Sequence, residues 1–207
     1  MKSKFSSLNS KELALFKKLN SPQRVQDYLD SLKINFEPEG DTCSSPRGVI
    51  DRKSAHCIEA ALFAFTVLNF QKQPAFLLDL KANNQDYDHV VCLFKQNGLW
   101  GAISKSNHPA LRYRDPVYKS VRELAMSYFH EYLNNDGVKT LRSFSVPYSL
   151  TKYGSKWITS EDDVWEIAND LDEVKHFPIL PKNFKPRKVS HFEKTASNIA
   201  EWSEGSK

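Results

Sequence analysis

The sequence predicts an α+β fold in which a central buried helix packs on a small antiparallel sheet, with additional helices flanking both. The segment from Ala55 to about Phe70 is apolar on nearly every face, as expected of a buried helix. Three apolar runs follow it (PAFLLDL, HVVCLF and LWGAIS), and the turn signal Asn97-Gly98 separates the last two. With 207 residues, of which 40% are hydrophobic, the chain can form one domain with a substantial core.

The first 36 residues predict a helical hairpin that packs on this core. Ser10 is expected to cap a short first helix. The pair Ser21-Pro22 places a capping serine before a proline at the first helical position, which is a strong start signal for a second helix. Its apolar face is formed by Val25, Tyr28, Leu29 and Leu32.

Residues 35–53 predict a long loop that leads into the central helix. The segment contains two prolines, two glycines and a cluster of small polar residues. Loops of this length in a compact domain are often functional. In the first turn of the helix that follows, Glu59 is expected to interact favourably with the helix dipole.

Three strands are expected after the central helix, at residues 75–80, 89–94 and 99–104. The first two are continuous apolar runs, which is typical of interior strands. The last two form a hairpin through the Asn-Gly turn. Residues 105–118 contain two prolines and predict an irregular segment.

The remaining chain predicts two more helices and one more strand. Ser120 is expected to cap an amphipathic helix that ends near Asn134, and residues 141–146 predict a strand. Ser160 is expected to begin a last helix through a variant of the capping box.

These elements divide the chain into three parts. Residues 1–36 form the helical hairpin, residues 37–172 form the main domain, and residues 173–207 are rich in proline and lysine and predict an extended basic tail.

Composition excludes several classes of function. The net charge of +4 is too small to indicate a nucleic-acid-binding protein by itself. No apolar stretch approaches 18 residues, so we expect no membrane span. Three cysteines and the absence of a secretory h-region favour a reducing, cytoplasmic location. The sequence contains no phosphate-binding loop, Rossmann fingerprint or EF-hand motif, and we expect no cofactor.

Cys57 and His89 form a candidate catalytic pair. A cysteine in the first turn of a helix lies near unpaired N–H groups and partial positive charge, which favour the thiolate. A histidine that begins a later strand can take the thiol proton and hold it. Taken singly, a cysteine is more often a buried apolar residue and a histidine a hydrogen-bonded core residue. The pair is therefore what indicates function, and we expect His56 to point away from Cys57.

The order of these elements resembles the transglutaminase-like branch of the papain-type cysteine enzymes. The resemblance covers roughly residues 43–118 and rests on Cys57 in HCIEAALFAF, His89 in DHVVCLF, and the strand GLWGAIS after the turn. It implies a papain/transglutaminase-like core and acyl transfer through a thioester.

The third member of the site departs from the family pattern. Such families place an aspartate at the end of the strand that follows a Gly-Trp pair, and here Ser104 stands at that position. A hydroxyl can orient an imidazole but supplies no negative charge. Ser104 and Asn107 are the leading candidates for this role, followed by Asp115 and then Asp88.

The resemblance leaves two functions open. The first is a hydrolase, or a transferase, that acts on amide, isopeptide or ester bonds of a peptide, protein or small acyl substrate. The second is a catalytically inactive protein on the same fold that binds a partner. A zinc site could be drawn from Cys43, His56 and Cys57 with His89 or Cys92, but no pair has the C-x₂₋₄-C spacing of such sites, so we expect no metal. The sequence does not indicate an oligomeric state.

Overall fold

The computed structural model of the chain describes residues 5–108 and 110–198. Within these residues the helices are α1 (Ser10–Lys18), α2 (Pro22–Ser31), α3 (Pro46–Arg52), α4 (Cys57–Phe70), α5 (Val121–Tyr128), α6 (Trp165–Glu173) and α7 (His191–Asn198). The strands are β1 (Lys33–Ile34), β2 (Ser54–Ala55), β3 (Ala75–Ala82), β4 (His89–Gln96), β5 (Leu99–Ile103), β6 (Arg114–Tyr118), β7 (Leu141–Ser145) and β8 (His176–Pro178).

The main sheet has six strands in the order β6-β5-β4-β3-β7-β8, and every pairing in it is antiparallel. A separate parallel pair joins β1 to β2. The predicted α+β class with an antiparallel sheet is therefore confirmed.

Helix α4 is buried against one face of the sheet. Its side chains Leu62, Phe63 and Leu68 are fully buried, and they share a core with inward-facing sheet residues such as Leu77 and Phe94. The opposite face packs on α5 through a second core. The predicted central helix is confirmed. It begins at Cys57 and not at Ala55, because Ala55 belongs to β2 and pairs with β1.

Both helices of the N-terminal hairpin are present. Ser21 caps α2 as predicted, since its Oγ accepts a hydrogen bond from the N–H of Arg24 at 3.3 Å. Helix α1 is capped by Asn9 and not by Ser10. The Asn9 side chain accepts from the N–H of Glu12 at 2.9 Å, and the Glu12 carboxylate accepts from the N–H of Asn9 at 2.7 Å. This reciprocal pair is a capping box.

Two segments that the sequence predicts to be irregular contain regular structure. Helix α3 lies within residues 35–53 and begins with Ser45-Pro46, the same signal that starts α2. Strand β6 lies within residues 105–118 and pairs only with β5, so it is an edge strand in this sheet. An edge position tolerates Pro116, because proline cannot donate to a neighbouring strand.

Three further expectations about the second half of the chain are corrected. Helix α5 ends at Tyr128, well before Asn134. The capping box at Ser160 is wrong, because α6 begins only at Trp165 and the Ser160 side chain instead closes a local turn with Asp162. The segment 173–207 is predicted to be extended, but its described residues include helix α7 as well as strand β8; residues 199–207 lie outside the described part of the chain.

Among the residues that the structure describes, no helix combines the length and apolar character needed to cross a membrane.

Candidate active site

Three element ends meet at one cleft. Cys57 is the first residue of α4, His89 is the first residue of β4, and Ser104 directly follows the last residue of β5. Because β5 runs antiparallel to β4, the chain that leaves β5 lies beside the start of β4. Helix α4 packs on β4, which brings its N-terminus to the same edge. The resulting cleft has a volume of about 770 Å³.

Ser104 fixes the orientation of the His89 ring. The Ser104 Oγ lies 2.8 Å from Nε2 of His89 and donates its own proton to the carbonyl oxygen of Leu111 at 2.7 Å. Because that proton is used, the hydroxyl must accept from His89, so Nε2 carries a hydrogen. The His89 side chain also forms a hydrogen bond with the Cys57 sulfur. Because Nε2 is bound to Ser104, the nitrogen that faces the sulfur is Nδ1.

The three cysteines have very different acidities. Burial alone disfavours the Cys57 thiolate, but hydrogen bonds and positive charge from His56 and His89 outweigh it and lower the pKa of the thiol to about 5. Burial, together with the nearby Glu59 carboxylate, raises the pKa of Cys43 to about 12. Burial also raises the pKa of Cys92, which packs in the core on the α4 face of the sheet. Cys57 is therefore the thiol suited to act as a nucleophile near neutral pH.

His56 contacts Cys57, which corrects the expectation that it points away. It is the N-cap of α4 and has extended backbone dihedrals, so its side chain does not follow the helical direction. Its Nε2 lies 2.9 Å from the carbonyl oxygen of Thr42, 3.4 Å from Glu37 Oε1 and 3.6 Å from Glu59 Oε1. Burial alone lowers the pKa of His56, but the hydrogen bond and charge of the Cys57 thiolate and the two carboxylates raise it to about 9.

We expect His56→Gln to move the acidity of Cys57 toward that of an ordinary thiol. A nearby opposite charge lowers a pKa by about 1–3 units, and the variant removes one of the two positive charges that act on Cys57. The midpoint of the pH profile for Cys57 alkylation should therefore rise by about one unit or more. The matched control is His108→Gln, since His108 also lines the cleft. An unchanged midpoint in His56→Gln would show that His56 does not stabilise the thiolate.

Glu59 connects the first turn of α4 to the preceding loop. Its side chain is fully buried, and its Oε1 accepts from the Ser44 N–H at 2.9 Å and from the Thr42 hydroxyl at 2.9 Å. Its Oε2 accepts from the His56 N–H at 3.0 Å and from the Asn35 side chain at 3.2 Å. Glu59 therefore accepts four hydrogen bonds, in addition to the interaction with the helix dipole that the sequence predicts.

Gln26 is a site residue that the sequence analysis missed. Its side chain clamps the backbone of Ser104 on both sides, because Nε2 donates to the Ser104 carbonyl at 2.8 Å and Oε1 accepts from the Ser104 N–H at 3.0 Å. Gln26 lies on the buried face of α2 with Val25 and Leu29. A polar residue on an apolar helix face is the signal that could have identified it.

Within the described residues, the other candidates for the third position form no hydrogen bond with the His89 ring. Asn107 and Asp88 line the cleft, but within the described residues no hydrogen bond joins either of them to His89. The Oδ1 of Asp88 accepts from the N–H of Ala82 at 2.7 Å. Asp115 is exposed on β6, away from the cleft.

Lys105 is a buried cation next to Ser104. Its ammonium donates to the carbonyl oxygens of Leu29 at 2.7 Å and Leu32 at 2.8 Å, at the C-terminus of α2. Burial, with the positive charge of Arg112, lowers the pKa of Lys105 to about 8 despite the opposing effect of Asp30. Lys105 thus stabilises the C-terminus of α2 by donating hydrogen bonds to its last carbonyl groups.

In the described part of the chain, one group of side chains has the spacing of metal ligands. It comprises Asp79, Asp88 and Asp172, whose ligand atoms lie within 4.8 Å of one another. Asp79 binds His176 at 3.0 Å, and Asp172 binds Lys81 at 2.5 Å. These carboxylates already have protein partners, so we interpret the group as an ion-pair network.

Comparisons with known proteins do not show which family the chain belongs to. No family model matches the chain, and no curated protein matches it. The chain is similar to a solved structure titled "Crystal structure of a TGase", with a TM-score of 0.36 and 12% sequence identity over 49% of this chain. The matched region spans about a third, 34%, of that protein's length. At this TM-score and identity, the likeness establishes neither a shared fold nor a shared activity.

Proposed function

We propose that this chain is a cysteine-dependent acyl-transfer enzyme with a papain/transglutaminase-like core, and that it hydrolyses amide, isopeptide or ester bonds. The observation that supports this most is the thiol of Cys57 at a helix N-terminus, hydrogen-bonded to two histidines, one of which is held in place by Ser104. The thiolate is the reactive form of cysteine, and this environment stabilises it.

In the first step, the Cys57 sulfur attacks the carbonyl carbon of the substrate and the carbonyl electrons move to its oxygen. The backbone N–H of Cys57 lies in the first turn of α4, where such groups have no partner within the helix, and it can donate to this oxyanion. His89 then protonates the leaving amine or alcohol as the tetrahedral intermediate collapses to a thioester.

In the second step, water replaces the leaving group. His89, now neutral, takes a proton from the water as its oxygen attacks the thioester carbonyl. Collapse of this second intermediate releases a carboxylic acid and restores the Cys57 thiolate. An amine in place of the water would give transfer, and the same residues would catalyse it.

Ser104 is the orienting residue in this proposal, in preference to Asn107, Asp115 or Asp88. Its hydroxyl keeps a hydrogen on Nε2 of His89, so that Nδ1 faces the sulfur throughout the cycle. Gln26 holds the Ser104 backbone and acts as a positioning residue.

One observation favours the alternative, an inactive interaction protein on the same fold. His89 is held by a neutral hydroxyl, whereas a carboxylate would also stabilise the imidazolium that forms during catalysis. In that case the cleft would bind a partner and Cys57 would have no chemical role.

The acidity of the three thiols distinguishes the two functions. Iodoacetamide labelling, resolved by site with mass spectrometry across pH, should show Cys57 reacting with a midpoint near pH 5. At pH 7 we expect Cys57 to react about a hundredfold or more faster than Cys43 in the native protein. Equal rates for the two, or reaction of Cys57 only after unfolding, would contradict the enzymatic proposal and favour the interaction protein.

A further inference from the structure

The cleft that contains Cys57 is acidic, although the chain as a whole carries a net charge of +4. Among the described residues that line it, five carry carboxylates and one, Lys105, carries an ammonium. The five are Glu37, Asp41, Asp86, Asp88 and Asp136. The ammonium of Lys105 and the imidazolium of His56 offset part of this negative charge, but the carboxylates outnumber these two cations.

Two of these carboxylates have a basic neighbour, since His56 lies next to Glu37 and Lys81 interacts electrostatically with Asp88. Within the described residues, no ion pair joins any of the five to a lysine or arginine, and the charged partner of Glu37 is His56, at 3.4 Å. Three of them are fixed by backbone N–H groups. Glu37 accepts from Thr42 at 2.7 Å, Asp86 from Tyr87 at 2.9 Å, and Asp88 from Ala82 at 2.7 Å. Their negative charge therefore has a defined position in the cleft.

Two exposed aromatic rings lie beside these charges in the cleft. Tyr87 lies between Asp86 and Asp88, just before His89, and its side chain is 90% exposed. Phe36 lies next to Glu37, on the wall that contacts His56, and is 38% exposed. A ring beside a carboxylate suits the side chains of lysine and arginine, whose aliphatic stems pack on apolar surface and whose cationic heads bind both partners.

We propose that this cleft selects peptide substrates with a lysine or arginine side chain next to the carbonyl group that Cys57 attacks. The inference rests on the proposed function and specifies its substrate class. Carboxylates that flank a reactive group raise the local concentration of a cationic substrate and the rate at which it binds. They disfavour a substrate with an acidic side chain at the same place.

The test uses three N-acetyl-dipeptide chloromethyl ketones that differ in one residue, which is lysine, glutamine or glutamate. In each reaction the Cys57 thiolate displaces chloride and forms a thioether, which mass spectrometry assigns to its site. We expect the lysine probe to react about tenfold or more faster than the glutamate probe at low ionic strength, with the glutamine probe in between. The preference should shrink at about 0.5 M salt, because salt screens exposed charges.

The double variant Asp41→Asn with Asp136→Asn removes two of the five charges. Both side chains are exposed, so the change is compatible with folding. We expect the preference for the lysine probe to fall in this variant. It should persist in the control Asp115→Asn with Asp162→Asn, because both of these exposed residues lie outside the cleft.

The outcomes separate this inference from the proposed function. If Cys57 reacts readily with iodoacetamide but equally fast with all three peptide probes, the substrate class is wrong and the proposed function stands. A preference that is the same in both double variants would also contradict a role for the cleft carboxylates. If Cys57 reacts with neither iodoacetamide nor the peptide probes, both proposals fail.

Discussion

His89→Ala is expected to slow the labelling of Cys57 by iodoacetamide at pH 6 about tenfold. The two histidines together lower the pKa of the thiol to about 5, so at pH 6 the sulfur is mostly thiolate. Loss of one of them should raise this pKa by about two units, and the thiolate fraction at pH 6 would then fall from about 0.9 to about 0.1. The measurement is the second-order labelling rate of Cys57, resolved by site.

Two controls keep this result interpretable. His130→Ala removes an exposed histidine and should leave the labelling rate of Cys57 unchanged. The unfolding temperature of each variant shows whether the fold is retained, since an unfolded chain would expose Cys43 and Cys92 as well. If His89→Ala folds and its Cys57 reacts at the wild-type rate, His89 has no role in activating the thiol.

Glu59→Ala is expected to destabilise the protein by about 3–5 kcal/mol, since the carboxylate is buried and accepts four hydrogen bonds. Its removal leaves the N–H groups of Ser44 and His56 without their acceptor. The matched control is Glu166→Ala, because Glu166 is also in the first turn of a helix but is exposed. If Glu59 acted only through the helix dipole, the free energy of unfolding would fall by a similar small amount in both variants, below about 1 kcal/mol.

The contribution of Glu59 also depends on pH. Burial alone would raise its pKa, but the charge of His56 and hydrogen bonds from Ser44 and the His56 N–H outweigh it and hold the pKa below the ordinary value of 4.5. A carboxyl group with a lowered pKa in the folded state stabilises the protein above its unfolded pKa, and this stabilisation is lost as pH falls through the folded pKa. Chemical denaturation should therefore show a large difference between wild type and Glu59→Ala at pH 7, and a smaller one below about pH 4.

Glu59 joins the N-terminus of α4 to the preceding loop, and the same two segments hold the imidazole of His56. The same carboxylate that anchors Ser44 lies 3.6 Å from His56, whose charge supports the Cys57 thiolate. Stability and thiol acidity are therefore linked at this helix end.

Local sequence determines much of the framework. The apolar character of α4, the Asn97-Gly98 turn and the Ser21-Pro22 start signal each act within a few residues, so the sequence predicts the corresponding elements. The same local patterns place Cys57 at the start of a helix and His89 at the start of a strand. Helix α3 has an equally local signal in Ser45-Pro46, although the composition of residues 35–53 is typical of a loop.

Only the tertiary structure decides which side chains surround the thiol. Gln26 binds the Ser104 backbone across 78 positions of sequence, and the hydroxyl of Ser104 is placed on His89 by the pairing of β5 with β4. No periodicity or turn preference encodes such contacts, because they depend on how α2, α4 and the sheet pack together. The turn of His56 toward Cys57 has the same origin, since its ring is held by the Thr42 carbonyl and the Glu37 carboxylate of a neighbouring loop.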